Sequence, residues 1–199
     1  MVDVRKKAEE MGITILEEDS PSNVKGTAFK IGEKWYITIN PQDTEERKSF
    51  TIAHEIAEIM LYDDKELSND DKHKMSNFIA GEILMPKEEF KKDIYQNDLY
   101  QLKKIYSNCS YEAISRRMLN FMPQILTIFD NKKKYIRIAS ESIRFPQNLT
   151  KAELDVVEKC YELKSRYEKN EENLKIIGYF IDEGRGVERV ILLTEILDL

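Results

Sequence analysis

Histidine is scarce in this chain, and the scarcity is informative. Among 199 residues there are only two, His54 and His73, so any metal held through imidazole must use one or both. Cysteine is equally thin. Cys109 and Cys160 stand far apart and outside any C-x-x-C spacing, so both are expected as reduced thiols in a cytoplasm. No apolar run approaches the ~18 residues of a membrane span. The N-terminus, MVDVRKKAEEMG, enters a charged helical pattern with no apolar signal region. Positive charge is not in excess: the net charge of −6 argues against a chain whose main work is nonspecific binding to nucleic acid or membrane. Internal repeats and low-complexity segments are also missing. What remains is an ordinary soluble composition, 34% charged and 41% hydrophobic, long enough for one to two domains with a sizeable core.

Local patterns predict an α+β chain. A short helix over 2–12 ends at Gly12, a strand follows over 13–18, and SPSN (20–23) reads as a turn. The alternation in GTAFKIGEKWYITIN (26–40) predicts a hairpin around Gly32-Glu33. Asp43 and Glu46 form a D-x-x-E capping pattern for a helix that runs to about Tyr62. A second amphipathic helix is predicted from about Asp71 to Met85, closed by Pro86, which opens the next short helix. Residues 99–121 read as helix, turn, helix. QILTIFDNKKKYIRIA (124–139) reads as a strand pair turning at Asp130-Asn131. A long helix is predicted over 149–169, capped by Thr150 and Glu153, and two strands flank residues 183–186.

Chemistry is concentrated in FTIAHEIAEIMLY (50–62). His54-Glu55-Ile56-Ala57-Glu58 nearly spells H-E-x-x-H, the helical zinc-protease motif in which two histidines one turn apart bind metal and the glutamate is general base. Here Glu58 stands at the second histidine. Residues four apart share a helix face, so His54 and Glu58 can converge on one ion. Zinc takes imidazole nitrogen and carboxylate oxygen at similar distances. The third imidazole or carboxylate must come from elsewhere, and the one other histidine, His73, lies on the next predicted helix. Taken as a pattern alone, HExxE in a glutamate-rich chain also fits an exposed helix face, and His73 in NDDKHKM also fits a solvated side chain.

The wider stretch decides between these readings. RKSFTIAHEIAEIML (47–61), followed by MSNFIAGEILMPKEEF (75–90), resembles the ImmA/IrrE family of metallopeptidases. Its members carry a stretch like RxRFTLAHELGHLLL and then E-x-x-A-N-x-F-A-A-x-L-L-M-P. The Gly12-Ile13 helix end, Gly26 opening a hairpin, SYEAISRRMLNF and ILTIFDNKK extend the resemblance over about residues 1–130. Carried over by position, the family's first histidine falls on His54 and its general-base glutamate on Glu55. Its second histidine falls on Glu58, and its distal glutamate ligand on His73. The ligand set has changed from His-His-Glu to His-Glu-His, a reciprocal exchange that keeps ligand number, type and charge. Ser49 and Ala57 are further departures, at positions where the family often has arginine and glycine.

The resemblance implies a zincin-like metallopeptidase domain over 1–92, built from a small sheet and the motif helices. A helix-turn-helix-like segment over 93–125 and an α+β region over 126–199 would follow. It implies a zinc-dependent endopeptidase with Glu55 as base and His54, Glu58 and His73 as metal ligands. Its substrate would be a helix-turn-helix transcriptional repressor of a mobile element, such as a prophage or integrative element, or of stress genes. Asn77, one turn after His73, is a candidate to orient that ligand, and it fits a helix-packing or capping amide equally well. A His₂-carboxylate set also suits manganese or iron. The rival from another class is a noncatalytic antirepressor that binds a repressor without hydrolysis. Direct DNA contact through Arg116 and Arg117 is not expected, because the chain is acidic and Tyr111, Ile114, Met118 and Leu119 pattern as packing residues.

Overall fold

The computed structural model describes residues 2–19, 26–184 and 186–197; the turn expected at 20–23 and Arg185 lie outside them. Two compact units divide the chain, Met1–Ile114 and Ser115–Leu199.

In the first unit, α1 (Val4–Glu10) is capped by Asp3, whose carboxylate accepts from the Arg5 and Lys6 amides. Gly12, at φ +71°, turns the chain into β1 (Thr14–Glu17). β2 (Gly26–Ile31) and β3 (Lys34–Ile39) form the expected hairpin. Its turn is closed by Gly32 at φ +60°, a conformation that an L side chain strains to adopt. The sheet order is β1-β3-β2: β1 runs parallel to β3, β2 antiparallel with Ala28 opposite Ile37, and β2 is left as an edge.

α2 (Glu45–Met60) starts one residue away from the predicted capping pattern. Thr44, in extended backbone, is the N-cap and accepts from the Arg47 amide. Asp43 instead pairs with the Arg47 guanidinium at 3.4 Å, and Glu46 is drawn off to the Lys103 ammonium at 3.0 Å. Lys103 also donates to the carbonyls of Ser107 and Cys109, so it ties the start of α2 to the turn beyond α5 (Leu99–Ile105). Ile52, Ala53, Ile56 and Ala57 are fully buried on the inner face of α2, which packs on β2, β3 and α1. α3 (Asn69–Leu84) begins at the Ser68 cap and carries Asp70 and Asp71 in its first turn, where carboxylates complement the helix dipole. It lies along α2. Pro86 caps α4 (Lys87–Ile94), and α6 (Tyr111–Met118) carries the boundary between the units.

The second unit is one antiparallel sheet of order β5-β4-β8-β7-β6, from β4 (Gln124–Asp130), β5 (Lys133–Ala139), β6 (Tyr167–Glu171), β7 (Leu174–Asp182) and β8 (Glu188–Ile196). α7 (Lys151–Leu163) packs Val156, Cys160 and Tyr161 on Ile176, Val190 and Leu192. Its capping box between Thr150 and Glu153 forms as expected. Two local expectations shift. The β4–β5 turn is Asn131-Lys132, both at positive φ, because Arg189 holds Asp130 in the strand through its Nε and guanidinium nitrogens at 2.7 and 3.0 Å. The helix predicted to reach 169 stops at Leu163, with Lys164 left-handed. Residues 167–171 become β6, whose ladder with β7 outweighs the local helical pattern.

Candidate metal centre

His54 and Glu58 lie one turn apart on α2, and His54 Nε2 is 3.1 Å from Glu58 Oε1. From α3, His73 brings Nδ1 to 3.8 Å from the same oxygen, and the two imidazole rings meet at 4.9 Å between centroids. The three ligand atoms all fall within 4.8 Å of one another. Ligands about 2.0–2.2 Å from a tetrahedral ion stand roughly 3.4 Å apart, so the spacing and donor chemistry both fit a zinc-sized ion. Exposure is graded across the set, at 11% for the His54 side chain, 42% for Glu58 and 64% for His73. Of the three side chains His54 is therefore the most enclosed, and His73 faces solvent.

His54 is held by packing more than by hydrogen bonds. The Phe50 ring stacks on it at 6.2 Å, while Nδ1 is buried with no hydrogen-bond partner among the described residues. Asn77 lies one turn beyond His73 on α3 and is exposed.

Glu55 is buried, 6% exposed, and points toward the edge strand. Burial pushes its carboxyl up to about 7, the negative charge of Glu58 pushes the same way, and the Ala28 amide donating to it pulls the other way. A carboxyl poised there can both take and return a proton near neutral pH. Gly26 explains how β2 comes so close. A Cβ at that position would lie 2.2 Å from Thr51 Cγ2 and 3.6 Å from Glu55 Oε1, so a side chain would push the strand off the helix. The sequence marked Gly26 only as a hairpin start; the missing side chain was the one local signal of this contact.

Beside Glu58 and His73 opens a cleft of about 400 Å³ whose walls include Trp35, Ile59, Tyr62 and Lys72. None of these four stood out in the sequence, because their convergence depends on β3, α2 and α3 meeting.

Residues 8–119 match the M78 peptidases, described as the IrrE N-terminal-like domain. The chain belongs to this family. In fold it is similar to a Mycobacterium tuberculosis transcriptional regulator, with a TM-score of 0.70 at 15% sequence identity, over 97% of this chain and 68% of that one. No curated protein matches it. Membership of a metallopeptidase family suggests a metal, and His54, Glu58 and His73 are close enough to share one ion. No helix among the described residues is long and apolar enough to cross a membrane.

Proposed function

We propose that this M78 family chain is a zinc-dependent endopeptidase that cleaves a helix-turn-helix repressor, derepressing a mobile element or stress genes. The convergence of His54, Glu58 and His73 within 4.8 Å, with the Glu55 carboxyl buried on the same helix, carries this reading. The functional division is a metallopeptidase segment over 1–92, a helical segment over 93–125 and an α+β remainder over 126–199.

His54, Glu58 and His73 would hold the ion. Zinc bound there supplies Lewis-acid polarisation of the scissile carbonyl and acidifies the attacking water. Glu55 lies about 100° around the helix from His54, accepts the proton of that water, and returns it to the leaving amine nitrogen. The Ala28 amide holds the ionised carboxylate in place before the first transfer. Burial, which raises the proton affinity of Glu55, favours the first transfer; the rising basicity of the departing nitrogen drives the second.

A second reading has its own observation: the motif's second histidine is replaced by the half-exposed Glu58. On that reading the chain is an antirepressor that binds a repressor without cutting it. Elemental analysis of the purified chain, with turnover of a helix-turn-helix repressor by the parent and by Glu55→Gln, separates the two. The endopeptidase reading expects one zinc per chain in both proteins, cleavage by the parent, and a loss of about 10²–10⁴-fold in the variant. Stoichiometric capture without cleavage by the zinc-loaded parent would install the antirepressor, and manganese or iron in place of zinc would correct the metal alone.

A further inference from the structure

The cleft beside the ligand cluster shares two of its walls, Glu58 and His73, with that cluster, so whatever fills it lies against the reacting atoms. Its volume of about 400 Å³ is at the low end of small-molecule pockets, which run about 300–1,000 Å³. Apolar and polar groups share its lining about equally. Trp35 from β3 and Tyr62 from the end of α2 meet edge to face, with ring centroids 5.0 Å apart, and Ile59 and Leu61 add aliphatic surface. Tyr62 is 61% exposed. Charge of both signs lines the cleft, from Glu58 and Lys72. The Lys72 ammonium donates to the Tyr62 carbonyl at 3.3 Å, and the Lys30 ammonium stands 5.6 Å from the centre of the Trp35 ring.

We propose that this cleft is the specificity pocket of the reaction centre: it receives one large aromatic or aliphatic side chain of the peptide substrate, adjacent to the scissile bond. The inference rests on the metallopeptidase reading and adds the substrate class to it. An apolar side chain entering the cleft covers Trp35, Tyr62 and Ile59 and removes apolar surface from water.

Two hydroxamic acids test the proposal without turnover, one bearing a benzyl side chain and one a methyl group in its place, each titrated calorimetrically into the zinc-loaded full chain. Acetohydroxamate serves as the chelating control. The benzyl compound is expected to bind about 10- to 100-fold more tightly than the methyl compound, from the burial of its ring. It should also shift the emission of Trp35, the single tryptophan of the chain. In Tyr62→Ala and Trp35→Leu the preference should fall toward unity while zinc affinity, titrated separately, stays at the parental value. Equal binding of the two compounds by the parent, or a preference that survives in both variants, would overturn the pocket. Failure of acetohydroxamate itself to bind zinc-loaded protein would instead strike the metallopeptidase reading, and the pocket with it.

Discussion

His73 Nδ1 lies 3.8 Å from Glu58 Oε1, across the interface between α3 and α2. Relative to the order His-His-Glu that the resemblance implies, these two residues have traded identities, and they meet at one point. If that point is an ion, the two positions must be energetically coupled. Glu58→His alone makes three imidazoles, and His73→Glu alone makes one imidazole with two carboxylates; each should weaken zinc binding. The double variant should recover more than the two single losses predict, with a coupling of about 0.5–3 kcal/mol. Zinc affinities of all four proteins close the cycle, and simple additivity would remove the shared ion.

Gly26 offers a test of how Glu55, the proposed base, is held. Gly26→Ala places a Cβ 2.2 Å from Thr51 Cγ2 and 3.0 Å from the Thr38 carbonyl, so β2 must retreat and carry the Ala28 amide away from Glu55. Misplacement of about 1 Å can cost on the order of 10²-fold in rate, and a loss of that size in kcat/KM is expected with little change in zinc affinity. Thr51→Ser removes the clashing methyl group, so the double variant should recover part of the loss. Its failure to improve on Gly26→Ala would place the strain elsewhere.

Alkali should weaken the fold through its thiols. Burial pushes Cys109 up to about 12 and Cys160 up to about 11, above the ordinary thiol value of about 8.5. The folded state therefore favours the protonated thiol. That stability is fully present below the unfolded value, and it is lost as pH rises toward the folded values. Urea unfolding should fall in midpoint above about pH 9, less steeply in Cys160→Ala, and native protein at pH 8 should leave both thiols unmodified by Ellman's reagent. Prompt reaction of either thiol would contradict the burial.

The second unit should depend on a buried ion pair. Arg137 donates to both carboxylate oxygens of Glu153, at 3.1 and 3.3 Å. Their side chains are 2% and 1% exposed. Thr127 accepts from the same guanidinium, and Thr194 donates to the same carboxylate. Glu153→Leu strands the guanidinium and should cost about 3–5 kcal/mol in denaturant unfolding. Arg137→Met with Glu153→Leu should cost less than that single change, since no charge is left buried; an equal or greater cost would mean that the network is worth more than its desolvation.

Much of the fold is legible locally. The Gly32 turn, the Thr150–Glu153 capping box and the helical spacing of Ile52, Ala53 and Ile56 are short-range signals, and each marks its element. The start of α2 was misread by one residue because Asp43 and Glu46 have partners, Arg47 and the distant Lys103, that compete with the cap. β6 was misread because its strand state depends on a neighbour, β7, that local pattern does not contain. The candidate site divides in the same way. His54 and Glu58 share a face through helix geometry alone, so the sequence by itself determined that they could act together. That His73 reaches the same point, that Ala28 donates to Glu55, and that Trp35 and Tyr62 form a wall beside them was decided by tertiary structure. Those contacts join residues far apart in the chain, and packing of α2 against α3 and the β2 edge brings them within the few ångströms over which ligation, hydrogen bonding and dispersion act.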